Sequence, residues 1–285
     1  MPISKADLKA LRHPSENGRF LLTLFVLIPV AVLTAALVIG TMGVVLLIVP
    51  VTLFFLWFSL RLYTAWHINN SVQVTERAFP EAHAAIREAQ ELFGYHGRVE
   101  AFVIQEGSYN ASLLPLLSHK VLILNAELMK PGNSDRELRF IVGRFVGSLA
   151  SRHYRFAWFE AFLNGVEKLV VLNLLLTPYE RAVKLSGDQM GLYMIDGDLR
   201  SGVTAMMKMI LGSDVVDRAD VGSFLAQEAK GGGFFGWLVR AMSDFPHHTT
   251  RVANLIRFAE ARYPQEAERF RAAAPAPRAG AMAAE

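Results

Sequence analysis

The sequence predicts an α+β protein: an N-terminal transmembrane helical hairpin, followed by a helix-rich domain with a small sheet. Three observations carry that prediction. No residue from Phe20 to Leu60 is charged; two short runs rich in Val, Ile, Leu and Phe follow; and most of the remaining chain repeats apolar residues at helical spacing.

The uncharged run decides the first element. A hydrocarbon core about 30 Å thick takes roughly 20 helical residues to cross, so the stretch suffices for two crossings. Gly40 and Gly43 break it near the middle and permit a tight turn, which gives spans Phe20–Ile39 and Val44–Tyr63. Pro29 and Pro50 are tolerated inside such spans. A secretory signal peptide is the alternative, but its apolar region is shorter and ends at a small-residue cleavage site. Lys5, Lys9, Arg12 and Arg19 precede the first span and Arg61 follows the second, so both ends are expected in the cytoplasm, with Trp57, Tyr63 and Trp66 as an interfacial belt. The expected location is the inner (plasma) membrane, multi-pass, with lipid as the hairpin's partner. The expected divisions are a cytoplasmic segment 1–19, the hairpin 20–63, a domain 72–262 and a tail 271–285.

Beyond the hairpin, Ala84, Ala85, Ala89 and Leu92 recur at helical spacing within Glu81–Phe93, and Gly94 ends the pattern. Val99–Gln105 and Lys120–Asn125 read as strands joined through Glu106–His119. Ser134 and Glu137 form a Ser-x-x-Glu capping box ahead of Leu138, Ile141, Val142, Phe145 and Leu149, one face of a helix running to about Arg152. Phe156–Thr177 is apolar but interrupted by Glu160, Asn164, Glu167 and Lys168, which favours a buried or membrane-contacting helix, closed by Pro178. Arg181–Tyr193 and Ser201–Leu211 read as two more helices around the turn Asp196–Gly197–Asp198, with Met206, Met207, Met209 and Ile210 assigned to core. Gly231–Gly233 is a flexible break before the apolar patch Phe234–Leu238, and Arg271–Glu285 lacks large apolar residues and reads as a disordered tail.

Composition excludes several chemistries. With no cysteine there is no disulfide, thiolate nucleophile or thiolate metal ligand. The net charge of +3 is small and not concentrated in a basic run, so nucleic acid is not an expected partner.

The order of these elements, with Glu137–Tyr154 and Lys184–Asp188, resembles the membrane-associated zinc metallopeptidases typified by HtpX, which include the CAAX prenyl proteases. The resemblance covers roughly Val72 to Ala261 and implies a gluzincin-like metallopeptidase domain. In that family a helix carries His-Glu-x-x-His, two zinc ligands one turn apart with a general base between them, and a later helix supplies a third ligand, a Glu. Here Gly143 and Gly147 are kept, but Arg144, Phe145 and Ser148 stand at the histidine, glutamate and histidine positions, and Lys184 stands at the later Glu. Asp188, Gln189, Gly191 and Leu192 continue the match. Phe245–Pro246 with Arg251, Val252 and Leu255 is similar to the family's His-Pro segment without its histidine, and Asn110–Ala111 to the Asn-Ala before its edge strand.

Zinc-assisted hydrolysis needs three neutral or anionic ligands, a position for water and a base. Arg144 and Lys184 instead place two cations where a dication would sit, so no zinc and no other cofactor is expected. The expectation is a pseudopeptidase that binds protein segments or acts as a scaffold, with membrane-protein quality control as the context the resemblance implies. Arg144 or Lys184 would pair with Asp188. The groove would be formed by Asn110, Ala111 and Arg251 with an edge strand at Val121, Leu122, Ile123 and Leu124, which would receive an extended segment by strand addition.

Other readings stay in view. One is an active metalloendopeptidase with zinc on unorthodox ligands. Another is a displaced metal site on His153, His247, His248 and Asp188, against which His153 as a helix-end cap and His247–His248 in a solvated loop is preferred. Ser148 or Ser186 as nucleophile lacks a motif that would position a histidine base. A subunit of a membrane complex, with Phe156–Thr177 and Phe234–Leu238 facing a partner, overlaps with the scaffold reading.

Overall fold

The structure is a computed structural model that describes residues 2–41, 43–105, 110–114, 120–156, 170–230, 233, 236, 239, 243 and 245–273. A short helix α1 (Lys5–Ala10) leads into the helical pair α2 (Glu16–Gly40) and α3 (Val44–Asn69), which turn about Gly43 at φ 83°. Strand β1 (Val72–Gln73), helix α4 (Pro80–Phe93) and strands β2 (Val99–Ile104), β3 (Ala111–Leu114) and β4 (Lys120–Asn125) follow. The remainder is helical: α5 (Asp135–Ala150), α6 (Val170–Met194), α7 (Leu199–Leu211), α8 (Val221–Lys230), α9 (His248–Arg262) and α10 (Pro264–Ala273).

The four strands form one sheet in the order β1-β2-β4-β3. β2 and β4 are parallel, while β1 and β3 flank them antiparallel. Alternation along the strands divides the sheet's faces. Ala101, Val103, Leu122 and Leu124 join the main core with α4 and α5, whereas Phe102, Ile104, Val121 and Ile123 form a second cluster against Ile68 of α3 and Leu114. β1 and β3, two and four residues long, are too short to leave a periodic signal in the sequence. The edge expected at Val121–Leu124 falls instead to β3, because β4 is paired on both sides and those four residues are buried.

The expectation of a transmembrane hairpin, with its membrane location and lipid contact, is corrected. Among the described residues, no helix is long and apolar enough to cross a membrane. The two helices do form, but parts of the expected spans belong to the domain. Thr23 is buried, the Phe20 ring lies 5.7 Å from that of Tyr179, and Arg19 donates to the Pro178 carbonyl at 3.2 Å. At the far end of α3, Thr64 and His67 are buried where the helix lands on the sheet. Between those bases, Phe25, Leu33, Ile39, Phe54 and Phe55 are exposed.

Pro178 does not close a helix but lies inside α6. An interior proline costs about 3 kcal/mol. Burial of Tyr179, Ala182, Val183 and Leu185 immediately after it supplies the opposing gain. Ser134 caps α5 by accepting from the Arg136 N–H at 3.2 Å, and the Glu137 carboxylate turns inward to accept from Lys208, Nζ to Oε2 2.6 Å. The turn at Asp196–Gly197 takes φ 55° and 81°, and Asp198 caps α7. Arg271–Ala273, assigned to the tail, are the last turn of α10. Residues 274–285, most of Phe156–Thr177 and most of Gly231–Leu238 lie outside the described residues.

Candidate functional site

α5 and α6 approach so closely that side chains are excluded from their seam. A Cβ on Gly191 would fall 2.6 Å from the Phe140 carbonyl oxygen and 2.7 Å from Arg144 Cγ, and one on Gly143 only 2.8 Å from Met194. The glycines noted in the sequence therefore bring Arg144 on α5 and Asp188 on α6 face to face.

Asp188 is fully enclosed and is gripped by two arginines. Arg251 of α9 donates Nε to Oδ2 and Nη2 to Oδ1, both at 2.8 Å, the bidentate fork that a guanidinium offers a carboxylate. Arg144 approaches Oδ1 through Nε at 2.7 Å, and its Nη1 lies 3.3 Å from Met209 Sδ. The Arg144 guanidinium also lies near the rings of Phe140 and Phe145, at 6.0 and 5.6 Å. Burial opposes ionisation of Asp188, but Arg251 and then Arg144 outweigh it and hold the carboxyl below its usual range. Burial also pulls Arg144 down to about 10, against the attraction of Asp188. Both arginines remain charged at neutral pH.

Arg144 and Arg251 line a cavity of about 870 Å³, with Asp188 enclosed behind them. Phe145, Ser148 and Lys184 open onto it, as do Asn110 and, along β3, Ala111, Ser112 and Leu113. Phe245, Pro246, His247 and His248 close another side, with the Lys184 ammonium 4.8 Å from the Phe245 ring centre. The chain matches no family model, no curated protein and no solved structure. The site is therefore defined by its geometry alone.

That geometry gathers Asn110, Ala111, Arg144, Phe145, Ser148, Lys184 and Arg251 around one cavity, with Asp188 behind them. Val121, Leu122, Ile123 and Leu124 are not part of its lining. The two sets of histidines separate. His153 is buried beside Glu16, Nε2 to Oε2 3.1 Å, rather than capping an exposed helix end. His248 begins α9 half-buried in the cavity wall instead of lying in a solvated loop, and burial, reinforced by Arg251, lowers its pKa to about 4. Among the described residues no group of three or more His, Asp or Glu is placed to hold a metal ion. A guanidinium pair on Asp188 does not fit a zinc site, because its donors are cations. Ser186 is fully enclosed and donates to Glu16 at 2.7 Å, so it does not present a nucleophile to the cavity.

Met209 and Ile210, assigned to core, line the cavity, as does Phe224 of α8, a helix not anticipated from the sequence. The periodicity of Ser201–Leu211 marks two faces and does not reveal that one of them ends in an open cavity.

Proposed function

We propose that this protein is a non-hydrolytic, peptidase-shaped binder of extended protein segments, resembling HtpX-like peptidases with the zinc machinery replaced by an arginine–aspartate lock. The observation that carries this reading is the convergence of Arg144, Phe145, Ser148 and Lys184 on a single cavity bordered by strand β3. β3 pairs with β4 on one side only, and no described strand occupies its other edge. Such an edge adds a strand through main-chain hydrogen bonds, while the apolar walls receive alternate side chains. Hydrolysis is disfavoured, since the groups facing the cavity floor include Arg144 and Lys184 where a metal and its base would be needed.

The test incubates the purified chain with a pooled decapeptide library, with and without chelator, and follows retained and cleaved peptides by mass spectrometry. Intact peptides retained equally in both conditions, with slowed amide exchange at Ser112–Leu114, are the expected result. Chelator-sensitive cleavage accompanied by stoichiometric zinc would establish the active metalloendopeptidase instead. Failure to retain any peptide would remove the binding reading.

A further inference from the structure

The buried trio does not balance its charge. Arg144 and Arg251 bring two positive charges and Asp188 one negative, and all three side chains are at least nine-tenths enclosed. No Asp or Glu is among the described residues lining the cavity, while Lys184 adds a further cation to its wall. His248 is held neutral, and its Nδ1 is buried without a hydrogen-bond partner among the described residues. A net buried cation in a poorly solvated site is costly unless an anion accompanies it.

The fork of Arg144 is only partly used. Its Nε faces Asp188 and its Nη1 meets a thioether, a weak acceptor; Nη2 makes no hydrogen bond among the described residues. Phe140 and Phe145 flank the guanidinium, so its free side is presented to the cavity in a fixed orientation. Arg251 differs: its Nε and Nη2 are both spent on Asp188.

We propose that the cavity seats a carboxylate of the bound segment, a Glu or Asp side chain or a chain-terminal carboxyl, against Arg144 with Lys184 as the second cation. One negative charge neutralises the excess of the trio, and a planar carboxylate fits the remaining donors of a guanidinium. The inference rests on the peptide-binding reading, because the β3 edge and the apolar walls hold the chain that carries the carboxylate. Acidic recognition is then this site's substitute for metal coordination.

The experiment uses the full chain and amidated decapeptide pools randomised outside one central position, fixed as Glu in one pool and Gln in another; a third pool has the Gln centre and a free C-terminal carboxylate. The expected result is binding at least tenfold tighter for the Glu pool or the free-carboxylate pool than for the amidated Gln pool, with the tighter of the two identifying the carboxylate's source. Lys184→Gln, at a partly buried position, should narrow the preference at least threefold, and Arg144→Gln should abolish it in protein shown to be folded by its melting curve. Equal binding of all three pools would overturn acidic recognition and leave the strand-addition reading standing. Binding of none would overturn both.

Discussion

Two buried ionic clusters hang from α6 within one turn of each other, and they are built to opposite ends. On one side Ser186 donates to Glu16 at 2.7 Å and accepts from the His13 N–H at 2.8 Å, with His153 and Arg12 completing the surroundings of Glu16 at 3.1 and 3.5 Å. On the other, Asp188 is shared by Arg144 and Arg251 beside an open cavity. The first cluster fastens the start of α2 to the domain and is shut. The second has a cation in excess and a void next to it. Enclosure alone therefore does not tell the two clusters apart; charge imbalance beside accessible volume does.

The largest effect is expected from removing the shared carboxylate. Asp188→Ala leaves two buried guanidinium groups without their partner and should cost about 3–5 kcal/mol in denaturant unfolding. A triple replacement, Asp188→Leu with Arg144→Met and Arg251→Met, should recover most of that loss while abolishing ligand binding. If the single replacement leaves the melting temperature unchanged, the lock is not structural.

Glu16→Ala probes the closed cluster and should cost less, about 1–3 kcal/mol, because Ser186 keeps the Ala182 carbonyl, 3.0 Å away, as an alternative acceptor. Binding of decapeptides by the folded fraction should be unchanged; altered affinity would mean that the two clusters communicate through α6. Gly191→Ala presses a methyl group onto the Phe140 carbonyl and Arg144 Cγ, and should cost about 1–3 kcal/mol by forcing the α5–α6 seam apart. Because it displaces Arg144, it should weaken the discrimination between Glu and Gln peptides as well, which a purely packing role would not do.

The smallest effect is a slope with pH. His248 has a folded pKa of about 4 against an ordinary 6.5, so between those values the unfolded chain binds more protons than the folded one and stability rises with pH. Below about pH 4 both states are protonated and this slope ends. Melting followed from pH 4 to 6.5 should show the rise, and His248→Gln should flatten it. Glu16 and Asp188 are depressed in the folded state and add stability that is complete above the ordinary carboxyl range and lost as pH falls below it. They are common to both proteins and do not account for a difference between them.

Local signals made much of the scaffold legible. Helical spacing with Gly94 as a stop located α4, β-branched runs located β2 and β4, and Gly143, Gly147 and Gly191 marked the helices that meet at the site. Arg144, Lys184, Asp188 and Arg251 stood out because cations occupied positions where the resemblance required ligands. What was not legible depends on pairing between distant segments. A four-residue strand such as β3 takes its place from β4 rather than from its own residues, so the sequence alone points to β4 as the edge. Likewise Phe20 and Thr23 look like free apolar helix until Tyr179 and Pro178 are brought beside them. Glu137 satisfied a capping pattern, yet the amine that claims it lies 71 residues further on.

The fastening of α2 also sets an order of events during synthesis. Glu16 and Ser186 are 170 residues apart in the chain, and the His13 amide reaches the same hydroxyl. At about 5–20 residues per second, a ribosome takes roughly 10–30 s to deliver the second half of this contact after the first has been made. Over that interval the apolar helices α2 and α3 exist without α6. The nascent chain is thus exposed to premature association for longer than most of its internal contacts would require, and chaperone dependence should track the arrival of Ser186.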